Sequence, residues 1–339
     1  VTTRWGMTVP LDRIPLAEHA DVYASLAGAG FTDLWSSEVN GADAFTPLAL
    51  AAAWQPGLRL GTAVAPVFTR GPALLAMSAA ALAEAAPGRF ALGLGASSPV
   101  VVQGWNATPY VEPFRRTRDV LRFLRAALAG ETVDEAYPTF TVGRFTLDRP
   151  PAVPPPLLLA ALRPGMLRLA GAEADGVILN WLAAGDVPQA LAQVQPSRPG
   201  FEVVARIFVC PTEDVAHARA LGRRLIAGYL TIGAYAEFHR WLGRAEQLGP
   251  MWRAWAAGDR RGAAAAVPDE LVDELVLHGS PQRCREQVAR YVAAGVRVPV
   301  LAVLPTPELV AGGAAALADL VTRLGPPDGA GSAPAGQPA

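Results

Sequence analysis

Residues able to move protons, attack a carbonyl or hold a metal are few in this chain. The histidines are His19, His217, His239 and His278, the cysteines are Cys210 and Cys284, and all 29 basic residues are arginines. Without lysine there is no Schiff base to a carbonyl substrate or to pyridoxal phosphate, which removes two large classes of enzyme chemistry. Metal-dependent hydrolysis needs clustered His, Asp or Glu ligands, and no His-x-His pair occurs. Glu38 is the lone acid among the candidate strand ends, so the paired carboxylates of glycoside hydrolysis are missing. Ser97 and Ser98 stand at another strand end with no evident histidine base. The cysteines are far apart in sequence and read as core thiols, not as a disulfide or metal knuckle. Elimination leaves a bound cofactor as the source of reactivity, with the polypeptide binding and orienting it.

The elements that position these residues show as short β-branched and apolar runs separated by stretches of helical spacing. The runs are Trp5 to Val9, Phe31 to Ser36, Leu58 to Val64, Phe90 to Leu94, Leu157 to Ala161, Gly176 to Asn180, Val203 to Val209, and Pro299 to Val303. Eight strands in one chain of 339 residues predict a closed (β/α)8 barrel, an α/β fold, as a single domain over residues 1–325. Helices are marked by prolines in their first turn at Pro72, Pro113 and Pro281 and by glycines after their ends at Gly28, Gly30 and Gly295. His19 and His217 fall on helices and His278 precedes one. His239 lies in a helical stretch from which the mouth of a barrel is within reach.

Two stretches break the alternation. Glu131 to Pro156 has the turn and aromatic residues of a hairpin laid over the barrel, and Tyr229 to Val267 reads as extra helices. Both are expected to shape the substrate pocket, where Trp241, Trp252 and Trp255 suit either a bulky ligand or packing within a helical subdomain. The tail 326–339 has almost no apolar bulk and is expected to be disordered. A net charge of −1 offers no electrostatic footprint for nucleic acid or a membrane surface, so the expected partner is a small-molecule substrate. No signal peptide and no run of roughly 20 apolar residues is evident, which predicts a cytoplasmic protein.

Several strings resemble the luciferase-like superfamily of flavin and deazaflavin oxidoreductases. Gly30-Phe31-Thr32-Asp33-Leu34-Trp35-Ser36-Ser37-Glu38 is similar to its second strand, and Leu60-Gly61-Thr62-Ala63-Val64 to its third. The most specific is Gly88-Arg89-Phe90-Ala91-Leu92-Gly93-Leu94-Gly95-Ala96-Ser97-Ser98-Pro99, with Gly104-Trp105 following, which resembles the fourth strand of the branch that uses coenzyme F420. Ala174 to Asn180 and Gly279-Ser280-Pro281 match the sixth strand and the start of the last helix, so the likeness spans residues 5–325.

The resemblance implies a deazaflavin ring over the carboxyl-terminal mouth, backed by a non-proline cis peptide at Ala63-Val64; the alternative is an ordinary trans strand. It places Glu38 near the ring as a catalytic acid, or as a loop-capping one, and Gly95, Ala96, Ser97 and Ser98 in a turn that touches the cofactor, with Ser98 a second catalytic candidate. Ala160, Ala161, Leu162, Arg163 and Gly165 correspond to the phosphate region, although Arg163 also suits a surface ion pair. Asn180 and Trp181 border ring or substrate, or pack. Relatives that oxidise sugar phosphates carry a histidine and a glutamate where this chain has Val39 and Ser98. The implied activity is therefore an F420-dependent reductase acting on an activated C=C or C=N bond, without a metal and as a homodimer. An FMN-dependent monooxygenase and a non-catalytic ligand-binding barrel stay open as alternatives.

Overall fold

The apolar runs become parallel strands because both of their faces are covered, one by helices and the other by the side chains that fill a closed sheet. The computed structural model describes residues 3–326, so all of the tail expected to be disordered except Pro326 lies outside the described residues. Twelve strands are present: β1 (Gly6–Val9), β2 (Asp33–Ser36), β3 (Arg59–Thr62), β4 (Ala65–Pro66), β5 (Phe90–Gly95), β6 (Val133–Tyr137), β7 (Phe140–Phe145), β8 (Leu157–Ala160), β9 (Gly176–Asn180), β10 (Glu202–Cys210), β11 (Val276–His278) and β12 (Val298–Val303). Eight close a parallel ring in the order β1, β2, β3, β5, β8, β9, β10, β12, with β12 returning to β1. The fold is the expected (β/α)8 barrel.

Two strands escaped the sequence reading. The third run does not continue through Val64: it stops at Thr62 and resumes as β4, which pairs with the end of β5. β11 lies outside the ring and pairs with the end of β10, Phe208 against Val276. It is too short to show a period.

Alternation along the strands sends one set of residues inward. Trp35, Ala91, Leu158, Ile178, Val204, Val298 and Val300 form the interior cluster. Trp35 fills the middle of it, and a Cβ at Gly61 or Gly6 would come within 2.4 or 2.9 Å of its ring. The glycines therefore make room for the largest side chain inside the barrel. Outward residues of β10, among them Val203, Ala205, Ile207 and Val209, join the layer under the helices.

The hairpin β6–β7 leaves the carboxyl end of helix Pro113–Leu128, which is the amino-terminal side of the barrel, and lies along that helix. Phe123 packs against Tyr137, Phe140 and Phe145 with ring centroids 6.5, 6.2 and 5.7 Å away. After β10, helices Val215–Tyr229, Gly233–Trp241, Ala245–Ala256 and Arg260–Ala265 build a second apolar cluster around Leu248, Met251 and Ala263. Among the described residues no helix is long and apolar enough to cross a membrane.

The amino-terminal end of the barrel is sealed by charge. Asp33, 1% exposed, accepts from Arg4 Nε at 3.2 Å and from Thr32 Oγ1 at 2.6 Å, while Arg4 grips both oxygens of Glu202 at 3.0 and 2.9 Å. Removing one member leaves buried charge without its partner, so Asp33→Ala is expected to cost about 3 to 5 kcal/mol in urea unfolding. A loss below about 1 kcal/mol would mean that the cluster contributes little to closing the barrel.

Candidate functional site

At the carboxyl ends of β3, β5 and β8 the inward positions carry small side chains. The Ala63-Val64 peptide is cis, as the family likeness implied. Thr62 makes up for the broken ladder here: its hydroxyl donates to Gly93 O at 2.7 Å and accepts from Gly93 N at 2.8 Å. Gly93 has to be glycine, since a Cβ would sit 1.9 Å from Thr62 O. Gly95 lies against Val64 Cγ2, which a Cβ would meet at 2.6 Å, and beside Ala160. Ala63, Val64 and Ala160 are half-buried and cap the interior cluster of Trp35. Together with Gly95 they make a low apolar floor that bears no reactive group.

The turn after β5 stands beside this floor. Ser97 has a left-handed backbone, φ 61°, and its carbonyl accepts from Tyr110 OH at 3.3 Å. Ser98 Oγ accepts from Val101 N at 3.4 Å, capping the π-helical turn Val100–Trp105, and its hydroxyl proton stays free to donate. Ala96, Ser97 and Ser98 are all partly open to solvent.

Arg163 is the N-cap of helix Pro164–Glu173 and is exposed. Its guanidinium makes no ion pair among the described residues, so the surface-pair alternative is set aside. The first intrahelical bond runs from Leu167 N to Arg163 O, which leaves the N–H groups of Gly165 and Met166 pointing out of the helix end. Such an end, with an unpaired arginine, suits a phosphate.

The structure corrects other candidates. Both Glu38 oxygens are committed: Oε1 accepts from Arg70 at 2.8 Å and Thr69 Oγ1 at 3.2 Å, and Oε2 from Arg70 at 2.7 Å and Ala44 N at 2.8 Å. With both oxygens taken up by these donors, Glu38 ties the β2 loop to the segment after β4. Ala161 is 1% exposed and faces the helical layer, which leaves Ala160 as the member of that pair at the mouth. Leu162 packs against the same layer. Asn180 donates to Tyr235 OH at 3.0 Å and accepts from Trp181 N at 3.1 Å. Trp181, 1% exposed, stacks on Phe208 at 4.0 Å and backs the wall without bordering the mouth.

His239 is also a packing residue. Fully buried, it donates from Nε2 to Trp181 O at 2.9 Å, and burial with Arg244 nearby lowers its pKa to about 3. Trp252 donates to Leu230 O at 2.8 Å within the helical subdomain. Burial pushes the thiols of Cys210 and Cys284 up to about 11 and about 12, which makes both inert.

A cleft of about 760 Å³ opens at the mouth on the side of β1, β2, β10 and β12. Its lining includes Thr8, Leu11, Ser37, Arg206, Phe208 and Tyr229, and neither the candidate site residues, the hairpin nor the three tryptophans Trp241, Trp252 and Trp255 contribute to it. Sequence reasoning missed these residues. The available signal was Val204-x-Arg206-x-Phe208, a charge at an inward position of an apolar strand.

Fold and mouth together define a (β/α)8 barrel whose carboxyl-terminal end carries a floor of small residues. The chain belongs to the luciferase-like monooxygenase family, whose model matches residues 2–298. It is 32% identical to a Mycobacterium tuberculosis protein named "Putative coenzyme F420-dependent oxidoreductase", covering 88% of this chain and 92% of that protein. It is 27% identical to a 5,10-methylenetetrahydromethanopterin reductase of Archaeoglobus fulgidus, covering 81% and 86%. Among solved structures, it resembles the coenzyme F420 dependent tetrahydromethanopterin reductase of Methanopyrus kandleri with a TM-score of 0.75 and 20% identity, over 96% of this chain and 98% of that one.

Two outcomes follow from the corrected residues. Glu38→Ala should lower unfolding stability by about 2 to 3 kcal/mol in urea through lost charged hydrogen bonds. A stability equal to wild type would contradict the tethering role. His239 binds a proton in the unfolded chain below its ordinary pKa of 6.5 and in the folded one only near pH 3. Stability should therefore fall on acidification through that window, by up to about 1.4 kcal/mol per pH unit from this group. His239→Gln should unfold with a shallower acid dependence between pH 6.5 and 4.5. Parallel curves for the two proteins would refute the assignment.

Proposed function

We propose that the protein is a coenzyme F420-dependent oxidoreductase that passes hydride between the deazaflavin and a small organic substrate, as a reductase of an activated C=C or C=N bond. The observation that carries this reading is the floor of Val64, Gly95 and Ala160, with no nucleophile, metal ligand or free acid on it. The Mycobacterium tuberculosis relative and the Methanopyrus kandleri fold support F420 as the occupant. An FMN-bound type II Baeyer-Villiger monooxygenase also shares the fold, at a TM-score of 0.63.

The residues present fit such a group. Val64, Gly95 and Ala160 offer a surface low enough for a flat ring, and a side chain at Gly95 would displace Val64 from it. Arg163 and the amides of Gly165 and Met166 would hold the phosphate. Bound there, the deazaflavin supplies a two-electron hydride centre and does not readily activate oxygen. The chain's own part is to orient the ring on the floor of Val64, Gly95 and Ala160 and to offer a proton from the Ser98 hydroxyl or a water it holds.

Titration with F420 and with FMN, followed by cofactor fluorescence, tests the proposal. F420 should bind and FMN should not, and Arg163→Ala should weaken F420 binding roughly tenfold or more through loss of a charged hydrogen bond. Reduced F420 should then be consumed without oxygen when substrate is supplied. Binding of FMN alone with oxygen-dependent turnover would make the protein a monooxygenase, and binding of neither would leave a ligand-binding barrel.

A further inference from the structure

Among the described residues, the cleft at the mouth is lined by a cation that the fold leaves without a counter-ion. Arg206 projects inward from β10 one alternation above Val204, and its side chain makes no hydrogen bond or ion pair among the described residues. Its Nε is buried and unpartnered, and its guanidinium lies 4.8 Å from the Phe208 ring centroid. Four other arginines, Arg4, Arg70, Arg219 and Arg244, each hold two carboxylates, and the half-buried Arg89 and Arg116 bond to backbone carbonyls. A buried Nε–H without an acceptor is costly, so a position that keeps one suits a ligand that brings the acceptor.

A second observation points the same way. Thr8 Oγ1 is buried and has no partner, and it lines the same cleft as Arg206. The other charged lining residues, Asp12 and Arg13, face each other at 4.0 Å on the exposed rim. The remaining wall is mostly apolar, with Leu11, Ile14, Leu225, Leu304 and Leu309 among its residues and Ser37, Asn40 and Tyr229 as its polar members. None of the floor residues that would carry the cofactor ring lines this cleft, so the two sites adjoin without overlapping.

We propose that the cleft takes an apolar molecule ending in a carboxylate, with the Arg206 guanidinium and the Thr8 hydroxyl donating to the anionic head while the chain lies along the leucine wall. This deepens the proposed function by giving its substrate class: a hydrophobic unsaturated acid. It depends on that function only for the reaction, not for the binding. A charge-assisted fork to a carboxylate is the interaction for which arginine is suited and lysine is not.

Binding can be measured without any cofactor. Octanoate and 1-octanol are titrated into wild-type protein and Arg206→Gln by calorimetry, with circular dichroism to establish that the variant is folded, and F420 is titrated separately into both. Octanoate should bind wild type at least roughly tenfold tighter than octanol, and Arg206→Gln should erase that preference. Equal binding of octanoate and octanol by wild type, which needs no variant, would overturn the proposal. So would a folded Arg206→Gln that keeps the preference, or one that loses affinity for F420 and not for octanoate, since the arginine would then serve the cofactor. Octanoate binding without F420 binding would uphold this site and remove the proposed cofactor.

Discussion

The Trp35 ring, lying across the faces of Gly6 and Gly61, is the contact on which the barrel interior depends. A closed eight-stranded sheet must fill its own centre, and one indole does here what several aliphatic side chains do elsewhere. Because Trp35 takes the space, neighbouring strands can offer only glycine or small residues beside it. Above the plug on β3, β5 and β8 no bulky group is needed, so the inward residues there shrink to Ala63, Gly95 and Ala160, and the floor of the mouth results from how the core was filled.

The two ends of the barrel then take opposite electrostatic characters. At the amino-terminal end the carboxylates of Asp33 and Glu202 are answered by Arg4 and Arg59. At the mouth, Arg206 and Arg163 have no counter-ions among the described residues. A fold pairs charge where it needs stability and leaves charge unpaired where it expects a ligand. Glu38 illustrates the distinction: it sits at a strand end, yet its two oxygens are spent on Arg70, Thr69 and Ala44, so it belongs to the framework.

Much of the fold was legible because a parallel strand buried on both faces must be an apolar run, and the eight barrel runs are short and well separated by helical stretches. The break after Thr62 and the three residues of β11 were not, since neither leaves a period to read. At the site, the family strings located the cis peptide, the Ser97-Ser98 turn and the helix opened by Arg163. They misjudged Trp181 and Ala161, because adjacent residues on a strand face opposite layers and a string does not say which layer the next element covers.

The sequence by itself pointed to a bound cofactor as the source of reactivity, since it holds no lysine and no cluster of acids or histidines at the strand ends. It also determined the barrel, through the number and spacing of its apolar runs. Only the tertiary structure decided which polar residues were still free to act. Whether a charge is paired depends on partners far away in sequence, as with Arg4 and Glu202 at one end of the barrel. Arg206, at the other end without a counter-ion among the described residues, could be recognised as unpaired only once those partners were in place.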